Sequence, residues 1–195
     1  QLPIYSKSYL HGDGVLESQR TSSGATFARF GETLSDEELT GVIDFLRQSR
    51  TPYVLVAGAN VIFNTTFDAF IKSHEESGAD ISVMYNRDGT KYGNPSYILD
   101  IDDDGFVRDM LYNPAKATSQ RCSLGILCLR RDLLIDILAR QMAHGQSHFG
   151  IHSIVKMFDE FKVHGFEYSG VVLRINNVQS YFNSSMSLLT DSEHR

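Results

Sequence analysis

The sequence contains no apolar run approaching the roughly 18 to 20 residues that a membrane-spanning helix needs, which argues against a transmembrane protein. Its first residues, QLPIYSKSYLHGDG, lack the basic start and apolar centre of a signal peptide. The net charge is −6, and no block of like charges is present. Because a nucleic-acid surface needs a basic patch, we expect no nucleic-acid partner. The acidic balance is also a poor background for a site that binds several phosphates.

Cysteine is scarce, since the 195 residues include only Cys122 and Cys128. They lie six positions apart in an apolar run, so both side chains should point to the same face of a strand. At about 3.3 Å per residue they would be about 20 Å apart, which excludes a disulfide between them. We therefore expect two reduced core residues in a cytoplasmic protein.

Several motifs that would specify a function are also missing. The sequence has no Walker loop, no GxGxxG and no GxSxG nucleophile elbow. Asp100, Asp102 and Asp104 match the opening of an EF-hand loop, but Leu111 stands where a bidentate Glu is needed. We interpret this acidic stretch as a polar hairpin turn between two short strands.

Three histidines spaced by four, His144, His148 and His152, could in principle stack metal ligands on one face of a helix. Gly145 and Gly150 interrupt that helix, and no fourth ligand is obvious. The spacing therefore indicates a solvated helix junction rather than a metal site.

The hydrophobic pattern predicts alternating helices and strands. Helices are predicted over 35–48, 66–77, 131–142, 150–161 and 178–189, and strands over 53–57, 81–85, 97–102, 106–111, 122–129 and 171–175. The positions expected to face the core are Leu39, Val42, Ile43 and Leu46 in the first helix and Phe67, Phe70 and Ile71 in the second. The helix–strand rhythm is typical of a parallel sheet. No repeat or linker divides the chain, so we expect one domain over 1–195 with an irregular segment at 1–25.

The strand over 53–57 indicates where a ligand should bind. It stops at Gly58, and a helix begins soon after. In open α/β sheets, ligands bind at the carboxyl end of such a strand. Asn60 is the residue expected to hold chemistry there. An acid at this position could bind a metal, whereas an amide carries no charge to hold one.

Five blocks occur in the order YVLVAGANVIFNTTF, SHEESGADISVMY, CSLGILCLRRDLL, HFGIHSIV and SGVVLRINNVQSYFNSSMSLL. Together they resemble the sugar-nucleotide pyrophosphorylases, in particular bacterial ADP-glucose pyrophosphorylase (glucose-1-phosphate adenylyltransferase), over about 39–189. The resemblance implies an α/β fold with a mixed, mostly parallel, Rossmann-like sheet and helices on both faces. It also implies ATP and glucose 1-phosphate as substrates, with Mg²⁺ as the family's cofactor.

The family's GGxGTRL nucleotide loop and its left-handed β-helix have no counterpart in this sequence. The chain therefore resembles the middle and rear part of a nucleotidyltransferase domain. The family's two metal-binding aspartates fall on Asn60 and Arg174. Replacing a carboxylate by a guanidinium changes the local charge by about two units, and a cation repels Mg²⁺. The resemblance thus implies that this chain has no catalytic residue and no metal or other cofactor.

Other positions of the family site divide into replaced and retained residues. The sugar-phosphate lysine falls on Asn113, and a sugar-contacting glycine falls on Tyr97, where a ring would fill the space of the sugar. Ser123 and Gly125 match the family blocks. The candidate substrate-binding residues are therefore Asn60, Tyr97, Asn113, Ser123, Gly125 and Arg174.

The pattern of replacement favours a non-catalytic, regulatory subunit, similar to the degenerate second subunit found in glycogen-making bacteria. Such a chain would pair with a catalytic ADP-glucose pyrophosphorylase subunit in a hetero- or homo-oligomer, and could still bind a sugar phosphate or nucleotide. One alternative is an active nucleotidyltransferase that uses acids from elsewhere, and another is a module that senses a sugar phosphate or nucleotide. A third is that the alignment at Asn60 is shifted by one or two residues.

Overall fold

The computed structural model has an eight-stranded mixed sheet as its central element. It describes residues 9–11, 14–16, 19–20, 26–30, 36–58, 61–87, 97–112, 119–144, 160–175 and 177–190. The strands are β1 (Tyr9–His11), β2 (Gly14–Leu16), β3 (Gln19–Arg20), β4 (Thr26–Phe30), β5 (Tyr53–Gly58), β6 (Val61–Phe63), β7 (Ile81–Asn86), β8 (Tyr97–Ile101), β9 (Val107–Tyr112), β10 (Cys122–Arg130), β11 (Val163–Glu167) and β12 (Val172–Arg174). The helices are α1 (Asp36–Gln48), α2 (Asp68–Ser77), α3 (Arg131–Ala143) and α4 (Val178–Thr190).

The main sheet has the strand order β11-β7-β10-β5-β4-β3, with β8 joined to β10 and β9 joined to β8. Strand β11 is parallel to β7, and β4 is parallel to β5. Strand β10 is antiparallel to both β7 and β5. Four of the six strands in this order therefore run in one direction, and the expected mixed sheet is confirmed. Two further pairs, β1–β2 and β12–β6, form small sheets of their own.

Helices α1 and α3 cover one face of the main sheet. The four apolar positions predicted to face inward from α1 are all buried: Leu39, Val42, Ile43 and Leu46. They pack in one cluster with Ile137 of α3 and with Val54 and Val56 of β5. The recurrence of apolar residues at spacings of three and four makes α1 amphipathic, so its apolar stripe is buried against the sheet.

Helix α2 covers the opposite face. Phe67, Phe70 and Ile71 are buried there against Leu55 and other residues of β5, β7, β10 and β12. Because successive strand residues face opposite sides, β5 contributes alternate side chains to the two clusters. The helix ends at Gly78 in the left-handed conformation, with a φ of 61°, as the sequence predicted. Helices on both faces of the sheet are thus confirmed.

The acidic stretch after β8 is a hairpin turn, as predicted. Asp102 Oδ1 accepts the backbone N–H groups of Asp104 at 3.1 Å and Phe106 at 2.8 Å. Gly105 has a φ of 85°, in the left-handed region that a glycine adopts without a steric penalty. Strands β8 and β9 pair on either side of this turn.

The sequence pattern did not predict β4, β6 or β11. In β11 only Val163 is buried, so the strand lacks a clear apolar alternation. It forms a strand through its parallel pairing with β7. Strand β12 pairs with β6 instead of the main sheet, because β6 provides a nearby antiparallel edge immediately after β5.

The segment 1–25, predicted to be irregular, contains the short strands β1, β2 and β3. The predicted helix over 150–161 lies outside the described residues except for its last two positions, as do His148 and His152. Among the helices that the structure describes, none combines the length and apolar character needed to cross a bilayer.

Candidate functional site

The carboxyl ends of β5, β7 and β11 lie at one edge of the main sheet, where the antiparallel strand β10 begins. Cys122, the first residue of β10, is paired with Asn86, the last residue of β7. Ligands of open α/β sheets bind outside the carboxyl ends of the strands, so this edge is where the sequence placed the site. We call it the ligand edge and define it by Gly58, Asn86, Glu167 and residues 122–125.

Strand β10 has a β-bulge at the ligand edge. Its register against β7 shifts between Ser123 and Ile126. Gly125 lies in this bulge with a φ of 72°, and its N–H donates a hydrogen bond to Ser123 Oγ at 3.1 Å. A Cβ at Gly125 would meet nothing within 4 Å, so backbone conformation rather than space favours glycine there. Bulges of this kind are frequent next to active sites.

Arg174 reaches the same bulge from β12. It is the last residue of that strand and pairs with Val61, which follows Asn60 in the sequence. Its Nη2 donates a long hydrogen bond of 3.4 Å to the Ser123 carbonyl oxygen. The pKa of Arg174 is lowered because burial penalises its charge, an effect that the neighbouring Cys122 thiol opposes. The structure therefore brings together three predicted site residues, Ser123, Gly125 and Arg174.

Asn86 is a residue of this edge that the sequence analysis did not single out. The residue is 4% exposed, and its Oδ1 has no hydrogen-bond partner among the residues that the structure describes. Directly opposed residues of antiparallel strands share a face of the sheet, so Asn86 and Cys122 lie on one face. The same face carries Met84, which packs in the α2 cluster. No sequence pattern distinguishes Asn86 from an ordinary strand end.

The two cysteines behave as predicted core residues. Cys122 and Cys128 are free thiols and both are buried. Burial raises the pKa of the Cys122 thiol, and the nearby Arg174 charge lowers it in part. Burial also raises the pKa of Cys128 to about 12. Neither thiol is therefore suited to act as a nucleophile near neutral pH.

Tyr97 lies in the core cluster of α1 and α3, and only 3% of its surface is exposed. Its ring centroid is 5.1 Å from that of Tyr112, its cross-strand partner in β9. Burial and the neighbouring Tyr112 raise the pKa of Tyr97. Tyr112 is exposed over 65% of its surface. The buried ring of Tyr97 therefore packs against the accessible ring of Tyr112.

A charged cluster that the sequence did not predict lies at the ends of β7 and β11. The Glu167 carboxylate accepts hydrogen bonds from Arg87 Nη2 at 2.9 Å and from the Tyr85 hydroxyl at 3.3 Å. Arg87 Nε also lies 2.9 Å from this carboxylate. The pKa of Tyr85 is raised by burial and by Glu167. The partners are about 80 positions apart in the sequence, so only the pairing of the strands brings them together.

Phe67, at the start of α2, has a φ of 61° although it is not a glycine. Its ring is buried and packs edge-on against Phe63, with centroids 4.9 Å apart. The packing holds the residue in a conformation that costs a bulky side chain energy. Backbone strain of this kind clusters at functional sites, and here it lies in the connection that follows β6.

Metal-ligating side chains are few in the described part of the ligand edge. Within the described ranges, no three His, Cys, Asp or Glu side chains are arranged to hold a metal ion. The Glu167 carboxylate is bound to Arg87, and Arg174 contributes a positive charge. Mg²⁺ prefers carboxylate and phosphate oxygens in octahedral geometry. Asn60 and Asn113, the other predicted site residues, lie outside the described residues.

The mixed sheet, its two helical layers and its carboxyl-edge site define an α/β domain of the Rossmann-like class. A family model described as Nucleotidyl transferase matches residues 38–184, and the chain belongs to that family. The crystal structure of HddC from Yersinia pseudotuberculosis has the same fold, with a TM-score of 0.57 and 15% identity. That similarity covers 80% of this chain and 64% of the HddC chain.

Curated relatives are named glucose-1-phosphate adenylyltransferase. The protein of Thermomicrobium roseum is 26% identical over 151 residues, which cover 73% of this chain and 34% of that protein. The protein of Lachnospira eligens is 22% identical over 152 residues, which cover 75% and 35% respectively. This chain thus spans about a third of the length of these relatives.

Proposed function

We propose that this chain is a non-catalytic, regulatory subunit of a cytoplasmic glucose-1-phosphate adenylyltransferase, the enzyme that makes ADP-glucose for glycogen synthesis. Family membership and the two relatives support the enzyme class. The observation that carries the regulatory role is Arg174 at the ligand edge. Its guanidinium stands where the family resemblance implies a metal-binding aspartate.

The physical reason for expecting no catalysis is that nucleotidyl transfer develops charge that must be neutralised. Positioning and electrostatic neutralisation supply almost all of the catalysis in phosphoryl transfer, and metal ions provide much of the neutralisation. A carboxylate holds such an ion, whereas a guanidinium repels it. Arg174 therefore removes the metal's contribution, while the scaffold residues Ser123 and Gly125 keep the bulge of β10 intact.

A degenerate subunit acts by changing the properties of a partner. We propose that the partner is a catalytic subunit of the same enzyme, within an oligomer. Ligand binding or assembly on this chain would shift the conformational equilibrium of the active chain. Allosteric coupling of this kind is typically worth about 1–3 kcal/mol, or about 5- to 150-fold in affinity.

The test measures turnover with ATP, glucose 1-phosphate and Mg²⁺ for this chain alone, for the catalytic subunit alone and for their mixture. We expect no turnover from this chain, co-elution of the two chains, and altered substrate or effector saturation in the mixture. Turnover by this chain alone that disappears in an Arg174→Ala variant would show an active enzyme instead. Failure to co-elute with or affect the catalytic subunit would refute the regulatory role.

A further inference from the structure

Helix α4 has its apolar side on the outside of the molecule. Its large apolar residues recur at helical spacings of three and four, which places them along one stripe. The residues of this α4 stripe are all exposed: Val178, Tyr181, Phe182, Met186 and Leu189. The opposite side of the helix carries Ser180, Ser184 and Ser187, of which Ser184 is buried and the other two are half-buried. A surface helix normally buries its apolar stripe, as α1 does, so α4 is inverted.

The polar groups in and beside the α4 stripe are paired within the helix. Ser185 lies in the stripe, and its hydroxyl donates a hydrogen bond of 2.8 Å to the Tyr181 carbonyl oxygen. Beside the stripe, Gln179 Nε2 donates to Asn183 Oδ1 at 3.0 Å. Burying a polar group is costly when it loses its partner. Because these groups keep theirs, covering the α4 stripe would carry little of that cost.

The charge of the helix restricts the kind of surface that can cover it. None of the 13 residues of α4 is charged, although the chain has a net charge of −6. A charged partner surface would lose its water against this stripe without gaining an opposite charge. A second copy of the chain presents the same uncharged, apolar stripe. Two copies can therefore meet here without bringing like charges into direct contact.

The exposed area is near the lower limit of a specific dimer interface. The five side chains of the α4 stripe are exposed by between 44% and 84%. With about 150–250 Å² for each large side chain, the stripe presents on the order of 500 Å². A standard interface covers about 800 Å² on each partner, and weak, transient ones cover less. The area thus fits a dimer that dissociates in the micromolar range.

The order of side chains along the stripe suits a two-fold arrangement. A two-fold axis through the centre of the stripe makes two α4 helices antiparallel and places residues of the first half against residues of the second half. Tyr181 then lies against Met186 across the axis, and a thioether contacts an aromatic ring favourably. Phe182 lies against Ser185. A bulky residue opposite a small one lets two helices approach to about 8–10 Å.

We propose that the α4 stripe is the contact surface of a symmetric homodimer of this chain, formed by two antiparallel α4 helices. The inference goes beyond the proposed function, because it concerns two copies of this chain rather than its pairing with a catalytic subunit. It also leaves the catalytic subunit a different surface to bind.

The experiment is analytical ultracentrifugation of the chain from about 1 to about 200 µM, a range that brackets a micromolar dissociation constant. We expect a reversible shift from the 21.9 kDa monomer to a species of twice that mass. A monomer over the whole range would overturn the proposal.

A matched pair of variants locates the interface. Phe182→Lys places a charge in the α4 stripe and should weaken the dimer about tenfold or more. Asn183→Lys adds the same charge at the next position, which lies off the stripe, and should leave the dimer unchanged. Leu189→Lys is a second stripe variant near the helix end, in case Phe182→Lys lowers the helix content measured by circular dichroism. A dimer that tolerates the stripe variants, or is weakened equally by Asn183→Lys, would show that it forms through another surface.

A charge pair tests the antiparallel arrangement. Tyr181→Lys and Met186→Glu should each weaken the dimer. The double variant should recover much of the loss, because each lysine then faces a glutamate across the axis. A double variant that is as weak as the single ones would refute the antiparallel pairing.

Mixing with the catalytic subunit distinguishes the two possible occupants of the stripe. We expect Phe182→Lys to leave co-elution with the catalytic subunit unchanged. Loss of co-elution in Phe182→Lys but not in Asn183→Lys would assign the stripe to the catalytic subunit and overturn the homodimer. If the original chain does not co-elute with the catalytic subunit at all, the regulatory role fails, while the ultracentrifugation of this chain alone still decides the homodimer.

Discussion

We expect His74 to make the stability of this protein depend on pH between about 4 and 6.5. The side chain is 2% exposed, its Nδ1 lies 2.8 Å from Ser82 Oγ, and its ring packs edge-on against Tyr53. Burial, assisted by the charges of His164 and Arg130, lowers its pKa to about 4, whereas Asp80 has the opposite, weaker effect. An unfolded histidine has a pKa of about 6.5.

The sign of the effect follows from proton binding. Between pH 6.5 and 4 the unfolded chain binds a proton at His74 that the folded chain does not, so stability falls as the pH falls. Each pH unit inside this window costs about 1.4 kcal/mol. From pH 7 to pH 5 the window covers about 1.5 units, so His74 should cost about 2 kcal/mol.

The assay is urea unfolding at pH 7 and pH 5, followed by circular dichroism because the chain has no tryptophan. We compare the original chain with His74→Gln and with His144→Gln, a control at an exposed histidine. His74→Gln should be less stable at pH 7, yet lose about 2 kcal/mol less than the original chain on going to pH 5. His144→Gln should follow the original chain. If His74→Gln shows the same pH-dependent loss as the original chain, His74 is not the group that titrates.

Two further predictions concern the bulge and the thiols. Gly125→Ala should destabilise the chain by about 1–2 kcal/mol in urea unfolding, because its φ of 72° is unfavourable for any side chain. Gly41→Ala in α1, where a Cβ also meets nothing within 4 Å, should instead stabilise it by about 0.5–1 kcal/mol; the same sign for both glycines would contradict this reasoning. Iodoacetamide at pH 8 should leave Cys122 and Cys128 unmodified in the folded chain and label both after unfolding, because burial raises both thiol pKa values. Rapid labelling of either cysteine in the folded chain would show that it is more accessible than the structure indicates.

Local patterns in the sequence predicted most of the individual elements. The spacing of Leu39, Val42, Ile43 and Leu46 is a property of a few consecutive turns, so it predicted both α1 and its buried face. Gly78 in the same way marked the end of α2. Such signals depend only on neighbours in the chain, and for that reason they remain valid in the folded structure.

Strand pairing was less predictable because it depends on distant partners. Residues 163–167 have little apolar alternation, and they form β11 only because β7 offers a parallel edge. The Arg87–Glu167 pair follows from that pairing. For the candidate site, the sequence singled out Ser123, Gly125 and Arg174, which the structure places close together, but it did not reveal that Tyr97 would be buried in the core.

Side chains alternate between the two faces of β12, and this alternation determines where the side chain of residue 174 points. Val172 is fully buried in the α2 cluster, and the residue two positions later faces the same side of the strand. Any side chain at position 174 is therefore directed toward the start of β10. A carboxylate there would attract a metal ion, whereas the guanidinium of Arg174 favours a phosphate. A single replacement at this position would thus change the charge presented to a ligand without changing a strand pair.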